Sequence, residues 1–321
     1  MVRKLGTQIG SQAVKLVFVL WLVSILVFLA LRLTPGDPAL LLLGPQAGRA
    51  DAAQVLASLR EQMGLDRPWV VQYSLWIGPI LRGDFGASAL NGQRVLPEIA
   101  SAAPPTLWLI AGSLVVSVPL ALVLGMWAAQ RGNGVLDGAV RTMTTLAVTI
   151  PGIWLGLLLI IVFSVELRVL PSGGFTSPLT DFGGFIRTLV LPVATLSVYL
   201  TGVLTRFVYS EASDVMRQDY MRTAAAMGIP ARRRIFRYAT KNAVLPLITI
   251  IGVQASALVG GAVLVEAVFN LGGLGQLLLS SVLNRDYQVV QGAVLLITVF
   301  VLVVGFLCDI AYRLVDPRIS R

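Results

Sequence analysis

The sequence contains no histidine, a single cysteine (Cys308) and few charged residues, which make up 13% of its 321 residues. One cysteine cannot form a disulfide within the chain. Without histidine, a histidine-ligated metal site, a Ser-His-Asp triad and a Cys-His dyad are excluded. No lysine follows a glycine, so a phosphate-binding GxxxxGK[ST] loop is also excluded. We therefore predict no catalytic residue, metal site or cofactor in this chain, and any ATP must bind to another one.

Apolar residues, in contrast, make up 56% of the chain, a composition typical of integral membrane proteins. A helix that crosses a bilayer needs about 20 largely apolar residues. Six segments qualify, at 16–33, within 99–130, and at 142–165, 188–205, 242–265 and 287–308. No small-residue cleavage site follows the first segment, so we expect a retained helix rather than a signal peptide. The predicted fold class is an all-α integral membrane protein with six transmembrane helices.

The basic residues are distributed unevenly between the two sides of this topology. With both termini inside, the cytoplasmic parts hold 16 of the 25 Lys and Arg residues but only 6 of the 16 acidic ones. These parts are 1–15, 131–141, 206–241 and 309–321. Because basic loops remain in the cytoplasm, we predict that both termini are cytoplasmic. The same excess explains the net charge of +9 without a nucleic-acid partner.

Three regions follow from this topology. Residues 1–33 form the cytoplasmic N-terminus and first helix, 34–104 an extracellular segment, and 105–321 a core of five transmembrane helices with a cytoplasmic loop at 206–241. Within the extracellular segment, the apolar spacing at 51–64 predicts a helix that ends at Gly64. This segment is either a folded cap, or a docking surface or gate over a pore, and composition does not separate these alternatives.

The centres of the six segments lack Asp, Glu, Lys and Arg. An ion-coupled transporter needs an ionisable group along its path, so this absence disfavours one. The mild polar side chains that remain form either helix–helix hydrogen bonds or a weakly polar pore wall. Gln254 and Ser256 are candidate pore residues, and Pro151 and Trp154 mark a candidate bend or gate in TIPGIW.

A polar stretch at 218–242 reads QDYMRTAAAMGIPARRRIFRYATKN. Asp219 is expected to cap a short helix, Gly228 to end it in the left-handed conformation, and Pro230 to prevent its continuation. One face would carry Tyr220, Thr223 or Ala224, and Met227. A basic helix would then lead back at 231–242. This stretch is either a basic loop that lies on anionic headgroups or a short helix that fits a groove of another protein. The first alternative explains only the arginines, whereas the second also explains why the helix has a defined end.

At these residues the sequence resembles the inner-membrane permeases of ABC importers. Their cytoplasmic loop carries Glu-Ala-Ala-x3-Gly followed by Leu-Pro, and here Thr223-Ala224 and Gly228 match. Arg222 stands at the Glu position, and Leu245-Pro246 comes later than in the general pattern. Both departures are typical of the peptide-type subfamily, the dipeptide, oligopeptide and nickel permeases. Other stretches that look like this family are LTPGDPA (33–39), RGDFGAS (82–88), TIPGIWLGLLLI (149–160), LPSGG (170–174) and VEAVFNLGGLGQLLLSSVLNRDYQVVQGAVLL (265–296).

The resemblance implies a bacterial inner-membrane subunit that forms half of a pore for peptides. Its partners would be a second homologous permease, two ATPase subunits that bind ATP and Mg, and an extracellular or periplasmic substrate-binding protein that meets 34–104. The short helix between spans four and five would be the coupling helix. Its coupling residues would be Asp219, Tyr220, Arg222, Thr223, Ala224 and Gly228.

Three alternatives remain open at this point. The same scaffold serves nickel or another small solute in some members of the subfamily. A membrane-embedded enzyme would need a nucleophile or metal cluster, and the sequence offers none. A structural or docking protein without conduction would not need the kinked spans or the full set of family motifs.

Overall fold

The computed structural model describes residues 2–33, 52–62, 64–131, 134–230, 233–234 and 240–315. The helices are α1 (Val2–Leu33), α2 (Ala52–Gln62), α3 (Trp69–Ile80), α4 (Val95–Arg131), α5 (Val135–Thr149), α6 (Gly152–Leu159), α7 (Phe182–Met216), α8 (Asp219–Ala226), α9 (Thr240–Phe269), α10 (Leu274–Leu283) and α11 (Tyr287–Val315). A π-helical segment, Ile160–Glu166, continues α6. The described part contains no β-strand, only an isolated bridge between Ala87 and Arg94. The prediction of an all-α protein is therefore confirmed.

Several of these helices are apolar and long enough to cross a membrane. Three uninterrupted helices meet both criteria, at Val95–Gln130, Phe182–Met216 and Tyr287–Ile310. Two more result if each of two bent helix pairs counts as one span, and the apolar stretch Val14–Ala30 in α1 is shorter. Within the described ranges the chain thus has three to five candidate spans, and the sixth remains a prediction.

The helices extend beyond the apolar stretches from which they were predicted. α4 begins at Val95, inside the predicted segment 34–104, and α7 continues to Met216, inside the predicted loop 206–241. A helix satisfies its own backbone groups, so it can continue into the polar region beyond the hydrocarbon. The predicted helix at 51–64 is confirmed by α2, whereas most of the predicted basic helix at 231–242 lies outside the described residues.

The chain divides into two compact units. The first comprises Met1–Ala102 and Leu277–Leu302. In this unit α3 packs on α1, where the Ser24 and Tyr73 hydroxyls lie 2.7 Å apart and the Phe28 ring meets Tyr73 edge-on at 5.6 Å. Ser24 is 2% exposed, so its hydroxyl needs these hydrogen bonds.

The second unit, Ala103–Gln276 with Val303–Arg321, is organised around α7. The side chains Leu200, Leu204 and Val208 are 0% exposed. α4 approaches closely at Gly125, where an added Cβ would lie 2.7 Å from Val208 Cγ1. Only a glycine allows the two helices this separation, so the pairing of α4 with α7 is specified at that position.

The third predicted span is broken at Pro151. α5 ends at Thr149 and α6 begins at Gly152, and the two segments make an angle of 97°. Ile150 is extended, at φ −66° and ψ 123°, because the residue before a proline disfavours the helical region. Pro119 and Pro192, in contrast, lie inside the continuous helices α4 and α7. Of these three prolines, only Pro151 therefore interrupts its helix.

Candidate functional site

The short helix α8 follows α7 almost directly, after Arg217 and Gln218. Gln218 is the N-terminal cap, with extended φ −71° and ψ 151°, and its side chain makes no capping hydrogen bond. The prediction that Asp219 caps this helix is therefore wrong, because Asp219 is already its first helical residue. Its carboxylate lies 3.6 Å from Arg222, but the two side chains are 97% and 75% exposed, so this pair contributes little stability.

The predicted end of α8 is confirmed in detail. Gly228 has φ +77°, and no atom lies within 4 Å of the position where a Cβ would be. The Gly228 N–H donates to Ala225 O at 3.0 Å, and the Ile229 N–H donates to Ala224 O at 3.1 Å. This pair of hydrogen bonds is the Schellman motif, which satisfies carbonyl groups that would otherwise be left free at a helix end.

One side of α8 packs on its own chain and the other is exposed. Met221 is 1% exposed and Ala224 6%. Arg234 Nη1 also donates to the Met221 carbonyl at 3.3 Å, which attaches the returning segment to this helix. Of the two alternatives predicted for the face of Tyr220 and Met227, Ala224 is therefore buried, and the exposed one is Thr223.

The open face is formed by the remaining side chains of the predicted set. Tyr220 is 42% exposed and Met227 70% exposed, and Arg222 and Thr223 are exposed as well. Thr223 Oγ1 donates to the Asp219 carbonyl of the same helix at 3.0 Å. The helix thus presents an amphipathic surface of one aromatic ring, one thioether and one guanidinium.

The candidate pore residues lie on different helices. Pro151 stands at the N-terminal cap of α6, and Trp154, one turn later, is 55% exposed. Gln254 is 9% exposed and ends the first part of α9, Leu247–Gln254, which makes an angle of 50° with Ala257–Phe269. The side chain of Ser256 lies outside the described part. Trp154 is thus exposed beside the bend at Pro151, while Gln254 is mostly packed.

One polar network of the second unit was not predicted. Glu266 in α9 is 0% exposed, and Thr106 Oγ1 in α4 donates to its Oε1 at 2.5 Å. The Gln276 N–H donates to Oε2 at 3.0 Å, and the Leu274 N–H donates to Thr106 Oγ1 at 2.8 Å. One carboxyl group thereby holds the turn between α9 and α10 against α4.

A second network joins two family stretches inside the first unit. Ser88, in RGDFGAS, donates its hydroxyl hydrogen to Asp286 Oδ2, and both residues are buried. The Leu90 N–H donates to Ser88 Oγ at 3.2 Å. The Asp286 carboxylate also accepts the Val289 N–H at 3.5 Å, in the first turn of α11. The loop before α4 is thus fastened to the start of α11.

Neither network has the composition of an active site or a metal centre. Each consists of one carboxyl group, one hydroxyl group and backbone N–H donors. Among the residues that the structure describes, no group of three or more His, Cys, Asp or Glu side chains could hold a metal ion. What the structure shows for both networks is hydrogen bonds that join a loop or turn to a helix.

Several apolar helices of membrane-spanning length, with a sharply bent pair among them, define the class as a multi-pass membrane protein. Two family descriptions match the sequence. "Binding-protein-dependent transport system inner membrane component" matches residues 121–321, and the corresponding N-terminal description matches residues 7–109. The chain belongs to this family of inner-membrane permeases, and the predicted resemblance is confirmed.

Known relatives align along nearly the whole chain. A probable peptide ABC transporter permease protein, y4tP of Sinorhizobium fredii, is 37% identical and covers 98% of this chain and 99% of its own length. The glutathione transport system permease protein GsiC of Salmonella typhimurium is 39% identical and covers 94% of each chain. An inward-facing structure of the MetNI methionine ABC transporter has a TM-score of 0.52 at 19% identity, covering 69% of this chain and 94% of that one. The last similarity concerns the fold alone.

Proposed function

We propose that this permease conducts peptides as half of the pore of an ATP-driven importer. Two relatives support this substrate class, since one is a probable peptide permease and the other belongs to a glutathione transport system, and glutathione is itself a small peptide. A nickel or other small-solute permease on the same scaffold is the second candidate, because the centres of the six apolar segments carry no charged residue that would select a substrate.

The proposed topology has six spans with both termini in the cytoplasm. α1, α4, the bent pair α5–α6, α7, α9 and α11 would supply the spans. The concentration of Lys and Arg in the four assigned cytoplasmic parts supports this orientation. It places α8 inside the cell and residues 34–104 outside.

The observation that carries the coupling role is the construction of α8. Met221 and Ala224 hold it on its own chain, and the Schellman turn at Gly228 fixes its end. Tyr220, Thr223 and Met227 are left on the outside. A helix that is rigidly attached on one side and open on the other can transmit a push into α7, provided its partner contacts it differently in two states.

The proposed partners follow from this arrangement. Two ATPase subunits that bind ATP and Mg would accept α8 and its counterpart in a second, homologous permease. An extracellular or periplasmic binding protein would deliver the substrate at 34–104, which would serve as a docking surface. The lipid bilayer surrounds the spans.

The test is Gly228→Val, with peptide uptake and ATPase co-purification as the measurements. A β-branched residue at positive φ costs about 1–2 kcal/mol or more, and here only the backbone is strained because the space is open. We expect normal membrane insertion, weaker ATPase recovery and uptake reduced to near background.

The matched control is Gly174→Val, at a glycine with φ +87° and open space in the second unit. It imposes the same kind of backbone strain outside both α8 and the segment 34–104. Uptake lost only in Gly228→Val supports the coupling role. Normal uptake in Gly228→Val, or equal losses in both variants, would contradict it.

A further inference from the structure

A cavity of about 270 Å³ lies between α5 and α7 in the second unit. Its lining combines two guanidinium groups with several hydroxyl groups: Val140, Arg141, Thr144, Thr145, Thr205, Arg206 and Tyr209. No acidic side chain lines it. The volume is close to the lower end of small-ligand pockets, roughly 300 Å³, so it has room for a single polar headgroup.

Arg141 is held in place by its neighbours. Its guanidinium forms an ion pair with Asp137 at 3.1 Å, and Asp137 is 3% exposed. It also donates to the Tyr209 hydroxyl and lies over the Tyr209 ring, 4.9 Å from its centroid. Arg141 is therefore positioned before any ligand arrives, although Asp137 offsets part of its charge.

Arg206, in contrast to Arg141, contributes a positive charge that no neighbouring carboxylate offsets in the described ranges. It is exposed, and it makes no ion pair with any residue in the described ranges. A guanidinium group presents several N–H donors in a plane and binds phosphate oxygens in pairs. Together the two arginines and Asp137 give the cavity a net positive charge.

Thr205 provides the independent sign of a missing ligand. The residue is 0% exposed, and its Oγ1 has no hydrogen-bond partner in the described structure. A buried hydroxyl without a partner is unfavourable by about 1–3 kcal/mol, and such groups are rare in native proteins. Thr205 lines the cavity, and because its Oγ1 is covered, its side chain would have to turn toward the cavity for a bound oxyanion to accept its hydrogen.

From these observations we propose that the cavity binds the phosphate group of an anionic phospholipid. The proposed topology places Arg141 and Arg206 next to the cytoplasmic ends of the apolar segments 142–165 and 188–205, at the depth where headgroups lie. Basic pockets between membrane helices on that side bind phosphate headgroups. Inorganic phosphate shares the same chemistry and is the alternative source. The site does not depend on the coupling role of α8.

The experiment measures lipid binding to the purified full chain, with whatever subunits accompany it, by native mass spectrometry after delipidation. The probe is phosphatidylglycerol. Arg206→Gln should weaken its binding about ten-fold, equivalent to about 1.4 kcal/mol for one charge-assisted contact. Arg217→Gln is the matched control, because it removes a charge on the same helix face about 16 Å further along. It should leave the affinity unchanged.

Thr205→Val tests the unpartnered hydroxyl at nearly constant volume. It should weaken phosphatidylglycerol binding several-fold, while the thermal midpoint of the delipidated protein stays equal or rises because an unsatisfied polar atom is lost. Displacement of the lipid by millimolar inorganic phosphate would identify free phosphate as a ligand of the same site, and no displacement would restrict the site to the lipid. Wild-type affinity in both Arg206→Gln and Thr205→Val would overturn the proposal.

Discussion

Thr106→Val is the most informative perturbation of the fold, because it removes one hydroxyl and almost no volume. In the native chain this hydroxyl donates to Glu266 Oε1 and accepts the Leu274 N–H. Thr106 is 4% exposed and Glu266 0%, so water does not replace the lost partner. The substitution therefore leaves one buried acceptor and one buried donor without a hydrogen bond.

The magnitude follows from these two groups. Each buried polar atom that loses its partner costs about 1–3 kcal/mol. Glu266 keeps its second hydrogen bond, from the Gln276 N–H at 3.0 Å, and the turn can relax in part. We expect a net destabilisation of about 2–5 kcal/mol, which at ~2–4 °C per kcal/mol lowers the unfolding midpoint by roughly 4–20 °C.

The assay is thermal unfolding of the purified chain in one detergent, compared with Thr106→Ser. Serine keeps the hydroxyl group and loses a methyl group, so it should cost no more than about 1 kcal/mol. A Thr106→Val midpoint within the error of Thr106→Ser would refute the reasoning. It would mean that the Glu266 network does not hold the turn between α9 and α10.

Two further substitutions test the packing of each unit. Ser88→Ala should cost about 1–3 kcal/mol and speed amide hydrogen exchange in the loop before α4, because Asp286 loses its donor; unchanged exchange there would contradict this role. Gly125→Ala should lower the unfolding midpoint, since its Cβ would lie 2.7 Å from Val208 Cγ1, at a cost of about 1–3 kcal/mol. Gly138→Ala, a helical glycine with open space, should be neutral or stabilising, and equal effects would count against the close approach.

Local features of the fold could be predicted from the sequence because their causes are local. The stop at Gly228 needs only a glycine followed by a proline, and the break at Pro151 follows from the geometry of the residue before a proline. The cap at Asp219 could not be predicted as reliably. Gln218 is an equally polar neighbour, and a shift of one residue in the helix start decides which of the two precedes the first turn.

The polar networks could not be predicted because their members are far apart in the sequence. Ser88 and Asp286 are separated by 198 positions, and Thr106 and Glu266 by 160. A single sequence contains no information about such pairs. The available signal was the position of Glu266 and Asp286 at the ends of apolar segments, where a charged group must either reach water or find a partner.

The roles of these two acids also bear on how transport is driven. A proton-coupled carrier needs an ionisable group that can exchange partners along the pathway. Glu266 and Asp286 are each buried and fixed by a hydroxyl group and by backbone N–H donors. Exchanging either acid would require the release of a turn or of a helix start, which costs several hydrogen bonds of about 1 kcal/mol each. Under the coupling role proposed for α8, energy would instead enter the permease through α7, and the hydrogen bonds of Glu266 and Asp286 would stay intact.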